Sequence, residues 1–421
     1  MSSAIPLSFT PASTAAQFWR NLLLAGTYLS GIWLVAVGLT EALDWPLFTE
    51  QAFTNWDTEH YLHIRNRGYK VLTTAFFPLF PLVWRWLDVS ARAMAAINLG
   101  LFALAFAVLS TTFQFSKRQQ LLALSVPLLC FMGLAYSEAL FFGAGVLVLL
   151  GWQRQNLLLL GLGLYLCGVT RSSAFVLVPA GLLTAYLTRT SWAAVAWQAA
   201  VSVGASGAGL ATSVYVHYLD TGRWFVFFEA QRQGWNNHIG WPRWPLSSWG
   251  SSFSTYCEAV VFLFALAVAG YLLRQLWQHR PAQPASSWAP VLFSMAYVAG
   301  VAAVTILTKG GMLISLGRYV LATPYGLLVL VWGLRSFTFA SRHLLVALLL
   351  SEVCWLACFA SYGHIRTALA YTVVSAYVVL VLACTHSLEK VQRGASITLI
   401  AINSMLLIWL LFRFLAHEWV G

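Results

Sequence analysis

Thirteen apolar stretches follow one another along this chain of 421 residues, beginning with 19–40 and ending with 395–416. A helix needs about 20 apolar residues to cross a bilayer. Several stretches, among them 120–135, 137–152, 155–170 and 172–188, fall short of that and could be broken or half-spanning. The expectation is an all-α polytopic membrane protein with about 11 to 13 transmembrane helices. The chain is 9% charged and 60% hydrophobic, whereas a soluble domain carries about a quarter charged residues. That leaves no room for a soluble domain of any size, so residues 1–421 are expected to form one integral-membrane unit. The first apolar stretch is long and no clear A-x-A site follows, which favours a helix over a cleaved signal.

Composition also excludes some function classes. The six cysteines lie in or beside apolar runs without a C-x-x-C pair, the pattern of small buried hydrophobes. The net charge of +11 comes without a basic run, so nucleic acid is not an expected partner.

With the N-terminus inside and the stretches alternating, the inside loops hold Arg20, Lys117, Arg118, Arg154, Arg189, Arg274, Arg280, Arg335, Arg342, Lys390 and Arg393. That sprinkling is nearly free of carboxylates, as positive-inside topology requires. A short linker at 281–284 falls on the same side. Six polar clusters then share the outer side. They are residues 41–91, Tyr136-Ser137-Glu138, Thr170 to Ser173, residues 217–251, Lys309 to Arg318, and Tyr362 to Arg366. The chemistry is expected on that face.

The densest cluster runs from Asn55 to Tyr69 and holds two carboxylates, two histidines and two arginines, in a chain with only 13 Asp and Glu. If it is helical, Glu59, His63 and Arg67 line one face, and Asp57 lies beside His60. Asp57 could serve as a general base or as a helix N-cap. Asp57, Glu59 and His60 could alternatively hold a divalent cation, but three or four groups are too few for a dedicated cage. Arg318 begins an apolar span, where a charge is a functional hypothesis by default. It could clamp a lipid phosphate or snorkel to headgroups. Arg171 carries the same two readings, and Lys309 is a looser candidate. Glu138 either caps a re-entrant turn or reaches a substrate hydroxyl. Glu352, within a span, reads as an interhelical hydrogen-bonding residue. The loop 217–251 is rich in aromatics and amides, which suits sugar binding or an interfacial amphipathic helix.

These residues resemble a known family, the PIG-V-like mannosyltransferases of glycosylphosphatidylinositol (GPI) anchor synthesis and their prokaryotic relatives, within the GT-C glycosyltransferase fold. The resemblance rests on an ordered set of motifs over residues 56–319. These are Trp56-Asp57 with His60, Tyr61, Leu62, Ile64, Gly68 and Tyr69; Phe77 to Leu82; Tyr136-Ser137-Glu138; Thr221-Gly222 with Phe228, Ala230, Gln231, Gly234 and Trp235; and Gly317-Arg318-Tyr319. Arg223 departs from the pattern, standing where an acidic residue is common.

The resemblance implies a glycosyltransferase that moves a sugar, mannose in the eukaryotic family, from a polyprenyl-phosphate carrier to a lipid or glycan acceptor. It implies inversion, with Asp57 as base. The absence of a long insert leans towards a prokaryotic relative, in a bacterial plasma membrane rather than the ER. The expected catalytic residues are Asp57, Glu59 and His60. Arg318, Arg171 and Lys309 are expected to bind the donor phosphate, and Trp56, Tyr61, Glu138, Gln231 and Trp235 the substrates. No resident cofactor is expected, a divalent cation being the alternative. The competing classes are a polytopic transporter or lipid flippase and a non-catalytic subunit of a larger transferase.

Overall fold

The computed structural model describes residues 15–242, 244–249, 252–278, 288–359 and 365–420. Arg280 and the linker 281–284 lie outside the described residues. So does most of the cluster from Tyr362 to Arg366. Every regular element among the described residues is a helix. Apolar stretches in lipid have no water to satisfy their peptide groups, so each must bond within itself.

Seven described helices are long and apolar enough to span a membrane: Ala15–Ala42, Ala91–Thr112, Trp192–Thr221, Ser254–Trp277, Ala289–Thr308, Ser341–Cys358 and Glu389–Leu415. Pro127–Gly133 and Glu138–Arg154, bent by 106° at their junction, make an eighth when counted as one broken span, the alternative being a re-entrant loop. Three shorter apolar helices, Leu157–Thr170, Ser172–Leu187 and Leu369–Ala383, accompany them. With the seven long helices, the bent pair and the three shorter ones, the described residues hold eleven apolar helical segments. Leu23, Leu34 and Leu350 are largely exposed. Such a surface aggregates in water and is at home against acyl chains.

The breaks are locally explained. Between Gly133 and Glu138 the chain leaves helical geometry, and the amide of Asn98 donates to the freed carbonyls of Leu134 (2.7 Å) and Tyr136 (2.8 Å). Helix Leu316–Leu321 stops before Pro324, which lacks an N–H and so opens the next helix, Pro324–Ser336. Thr323 caps that helix, accepting from the Gly326 amide at 3.2 Å.

Helix Ala91–Thr112 runs between two ends of the bundle, about 33 Å apart at 1.5 Å per residue. At its start, Glu50 accepts from the Ala91 amide at 2.5 Å. Past its end, Arg335 donates to the Phe113 carbonyl at 2.9 Å and to Gln119 at 2.8 Å. At that second end the loops after Thr112, Ser336 and Ala383 meet: the Phe339 amide donates to Thr385 O (3.2 Å) and the Ser387 amide to Phe339 O (3.0 Å). The loops carrying the polar clusters gather at the first end.

There, the two long loops dock on each other. Helix Val226–Trp235 packs on the 3-10 turn Val71–Ala75. Asp220 accepts from the Tyr69 amide at 2.7 Å. The second long loop also bonds to the segment after Ala289–Thr308, through Gly310 N–H to His238 O (3.0 Å) and Leu313 N–H to Ser247 O (2.9 Å). Gly310 adopts φ +66°, and a Cβ there would fall 2.6 Å from the His238 ring. The chain's end closes the same region: Asn55 donates to the Phe414 carbonyl at 2.9 Å, and its side-chain oxygen lies 2.9 Å from His417 Nδ1.

Candidate functional site

Five of the six polar clusters meet at one cavity of about 410 Å³. Asp57 and Tyr61 come from the first loop, and Ser137 from the bent span. Arg171 ends helix Leu157–Thr170, and Gln231 and Trp235 come from the second long loop. Lys309 and Arg318 follow Ala289–Thr308, and Trp419 comes from the chain's end. These groups lie up to 362 positions apart in sequence (Asp57 to Trp419), and most of them, though not Tyr61 or Gln231, stand at or beside a helix end.

The floor of the cavity is an ion-pair chain. Arg318 is 5% exposed. Its Nη2 lies 2.7 Å from Asp57 Oδ2, and its Nε donates to Glu138 Oε1. Arg171 Nη1 pairs with the same Glu138 oxygen. Oε2 of Glu138 is buried without a hydrogen-bond partner among the described residues. Guanidinium stays charged at any physiological pH. The Arg318 guanidinium sits 4.6 Å over Tyr136 and 4.9 Å over Phe131, and Arg171 sits 5.2 Å over Tyr319. Ring faces favour cations most where water is excluded. The snorkelling alternative for Arg318 is therefore ruled out: its head group points into the protein and is paired there.

Three consecutive residues join this floor to the Asp57 helix. Tyr136 Oη accepts from the Asp57 amide at 3.2 Å, Ser137 Oγ accepts from Tyr61 Oη at 2.9 Å, and Glu138 holds both arginines. Because the span is broken here, successive side chains diverge to three different partners.

Asp57 opens helix Asp57–Arg67, and its N-cap is Trp56. The capping alternative for Asp57 thus falls away, since its carboxylate is turned to Arg318. Trp56 has φ +57°, a conformation costing a bulky residue about 1–3 kcal/mol. Stacking on His417 at 5.0 Å and edge contacts with Trp419 at 5.3 Å and Trp249 at 6.2 Å hold it.

The remaining candidates separate by position. Tyr61, Gln231, Trp235, Lys309 and Arg171 line the cavity. Burial holds the Tyr61 phenol well above its ordinary range, so it is neutral and able to donate. His60 lies behind the wall, stacked 5.0 Å from Phe76 and tilted 5.6 Å from Trp235. Burial lowers its pKa below 6.5 against the pull of Asp57 and Glu59, so the imidazole is neutral near pH 7. Glu59 stands on the exposed face of its helix, outside the lining. Trp56 packs beside the cavity rather than into it. Glu138 neither caps a turn through its side chain nor faces the cavity; it is 1% exposed and engaged with arginines. Glu352 does not line the cavity. Among the described residues no three His, Cys, Asp or Glu side chains gather as metal ligands.

Two buried residues that bond the backbone near the site escaped the reading of the sequence. Asn98 and Glu258 are polar side chains within the apolar stretches 92–114 and 253–276. A polar group at membrane depth is itself the signal. Glu258 is 3% exposed and accepts from the Gly317 amide at 2.5 Å.

A second cavity of about 370 Å³ adjoins the first and shares Phe77, Phe175, Phe227 and Phe228 with it. Its other walls are mainly Leu210, Ala211 and Val214 of Trp192–Thr221, with Trp224 and Phe225. No family model matches the chain, and neither a curated protein nor a solved structure does.

Proposed function

We propose that this protein is an integral-membrane glycosyltransferase that moves a sugar from a polyprenyl-phosphate carrier to a hydroxyl of a lipid-linked or glycan acceptor. The resemblance to PIG-V-like enzymes suggests mannose as the sugar and the outer or lumenal face as the site of reaction. One observation carries the reading. A carboxylate, Asp57, stands 2.7 Å from a buried arginine in a charged cavity that adjoins an apolar one. An anionic head group on a hydrocarbon chain matches that pair of cavities.

In the reaction, Asp57 takes the proton of the acceptor hydroxyl. The oxygen attacks the anomeric carbon as the bond to the carrier phosphate breaks. The electron pair leaves on the phosphate oxygen, and the configuration inverts. Arg318, Arg171 and Lys309 face the departing phosphate as fixed positive charge. With Asp57 and Glu138 the five charges sum to +1 (three cations less two carboxylates), so an arriving phosphate meets an attractive site.

The same ion pair suggests an order of events. Arg318 is occupied by Asp57 until a phosphate competes for it. Binding of the donor then frees the Asp57 carboxylate when the acceptor needs a base.

Purified protein incubated with labelled polyprenyl-phosphate-mannose and a membrane lipid extract should give a mannosylated product. Polyprenyl phosphate translocated across proteoliposomes, with no sugar transferred, would instead establish the flippase reading, which the 106° break in the bent span favours.

A further inference from the structure

Glu258 has no part in the chemistry above, yet a carboxylate 3% exposed within the span Ser254–Trp277 needs an explanation. Removing such a group from water is costly unless it is bonded. Its Oε2 lies 2.5 Å from the Gly317 amide, and it bonds the Ser315 backbone as well. Both belong to the start of Leu316–Leu321, the helix that carries Arg318.

That helix cannot hold itself. It has six residues, its N-cap Ser315 sits at φ +62°, and no side-chain cap bonds its first turn. Helices this short are not stable alone, and their first amides need partners. Tyr297 Oη donates to the Tyr319 carbonyl at 3.2 Å, and at the helix start Gly317 leaves room for Glu258. A Cβ there would lie 3.3 Å from Glu258 Oε2 and 2.6 Å from Leu128 Cδ1. Arg318 is the next residue. Glu138, Asp57, Phe131 and Tyr136 orient its side chain, through contacts to the guanidinium and not to the backbone.

We propose that Glu258 is a positioning residue for phosphate recognition: from a neighbouring span it fixes the backbone that aims Arg318 into the cavity. The proposal rests on the reading of Arg318 as the phosphate-binding group. It predicts that binding depends on an acceptor atom at position 258 and not on its charge.

The test is titration of full-length protein in nanodiscs with a polyprenyl monophosphate, for wild type, Glu258→Gln, Glu258→Leu, Arg318→Ala and the Glu258→Leu/Arg318→Ala double variant. Glu258→Gln keeps an acceptor oxygen and should bind within about threefold of wild type. Glu258→Leu orphans buried amides and should weaken binding about tenfold. In the Arg318→Ala background it should change binding little, because the two residues act as one unit. Should Glu258→Leu fail to fold, Gly317→Ala disturbs the same contact from the other side and should weaken binding several-fold. Wild-type affinity in Glu258→Leu, or in Gly317→Ala where that variant stands in for it, would overturn the proposal. So would an equal loss with and without Arg318, which a merely structural role would give. Absence of binding by the wild-type protein would remove the phosphate reading, and this inference with it.

Discussion

The two cavities are nearly the same size, about 410 and 370 Å³, and share a septum of four phenylalanines, yet they are built in opposite ways. The apolar one leans on a continuous face of Trp192–Thr221, where Leu210, Ala211, Val214 and His217 recur at helical spacing. The charged one is assembled from helix ends: Asp57 at the first residue of its helix, Arg171 after the last of another, and Arg318 in a six-residue fragment. An unbroken span satisfies its own backbone and presents repeating side chains to a hydrocarbon chain. Converging charge requires ends, because only there does the chain change direction within a few residues. Each break then needs an outside partner for its freed peptide groups, which Asn98 and Glu258 supply.

The comparison can be broken most sharply on the charged side. Asp57→Asn keeps the shape but loses the base, so turnover should fall roughly 10²-fold or more in protein that still inserts normally. Wild-type-like turnover would end the assignment. The same variant frees Arg318 from its competitor, so polyprenyl phosphate should bind it a few-fold more tightly; weaker binding would argue against the competition between phosphate and Asp57.

Arg318→Ala should cost donor affinity by at least tenfold, with Arg318→Lys recovering only part, since an ammonium keeps the charge without the fork. Unchanged affinity in Arg318→Ala would leave the cavity floor a structural ion-pair network.

On the apolar side, Val214→Trp fills the second cavity. KM for a long-chain donor should rise by about tenfold, the scale of losing a few buried methylenes, while a short-chain analogue is unaffected. Equal effects on both would show that the cavity does not hold the chain.

The smallest effect concerns cations. In the proposed reaction fixed side-chain charge faces the leaving phosphate, so activity after exhaustive chelation should stay within about twofold. Loss restored by Mn²⁺ or Mg²⁺ would reassign the Asp57 cluster.

Much of the fold was legible because lipid imposes a simple rule. Apolar stretches of sufficient length become helices, and the described residues are helical with seven full spans. The convergence of the polar clusters was legible too, since a chain poor in charge groups its charges for a reason. The sequence supports helix Asp57–Arg67 only conditionally, as one reading, and spacing does not decide which of its acids faces inward. Asp57 and Glu59 are two residues apart, about 200° around a helix, and only packing turns one to Arg318 and the other outward. Hydropathy marked the apolar stretches but does not register a 106° bend such as the one between Pro127–Gly133 and Glu138–Arg154.

From the sequence alone came the solvent, the secondary structure and the candidates. Each is a property of local composition: transfer free energy to lipid, the need for internal backbone bonds, and the rarity of charge. Only the tertiary structure decided the partners. Glu138 stands 33 positions from Arg171 and 180 from Arg318, yet one of its oxygens serves both. It also turned that residue from a candidate for touching substrate into the counterion of those that line the cavity. Pairings across such separations depend on how the helices pack and where they break. No window of sequence contains that geometry, because the energy that fixes it is shared between spans distant in the chain.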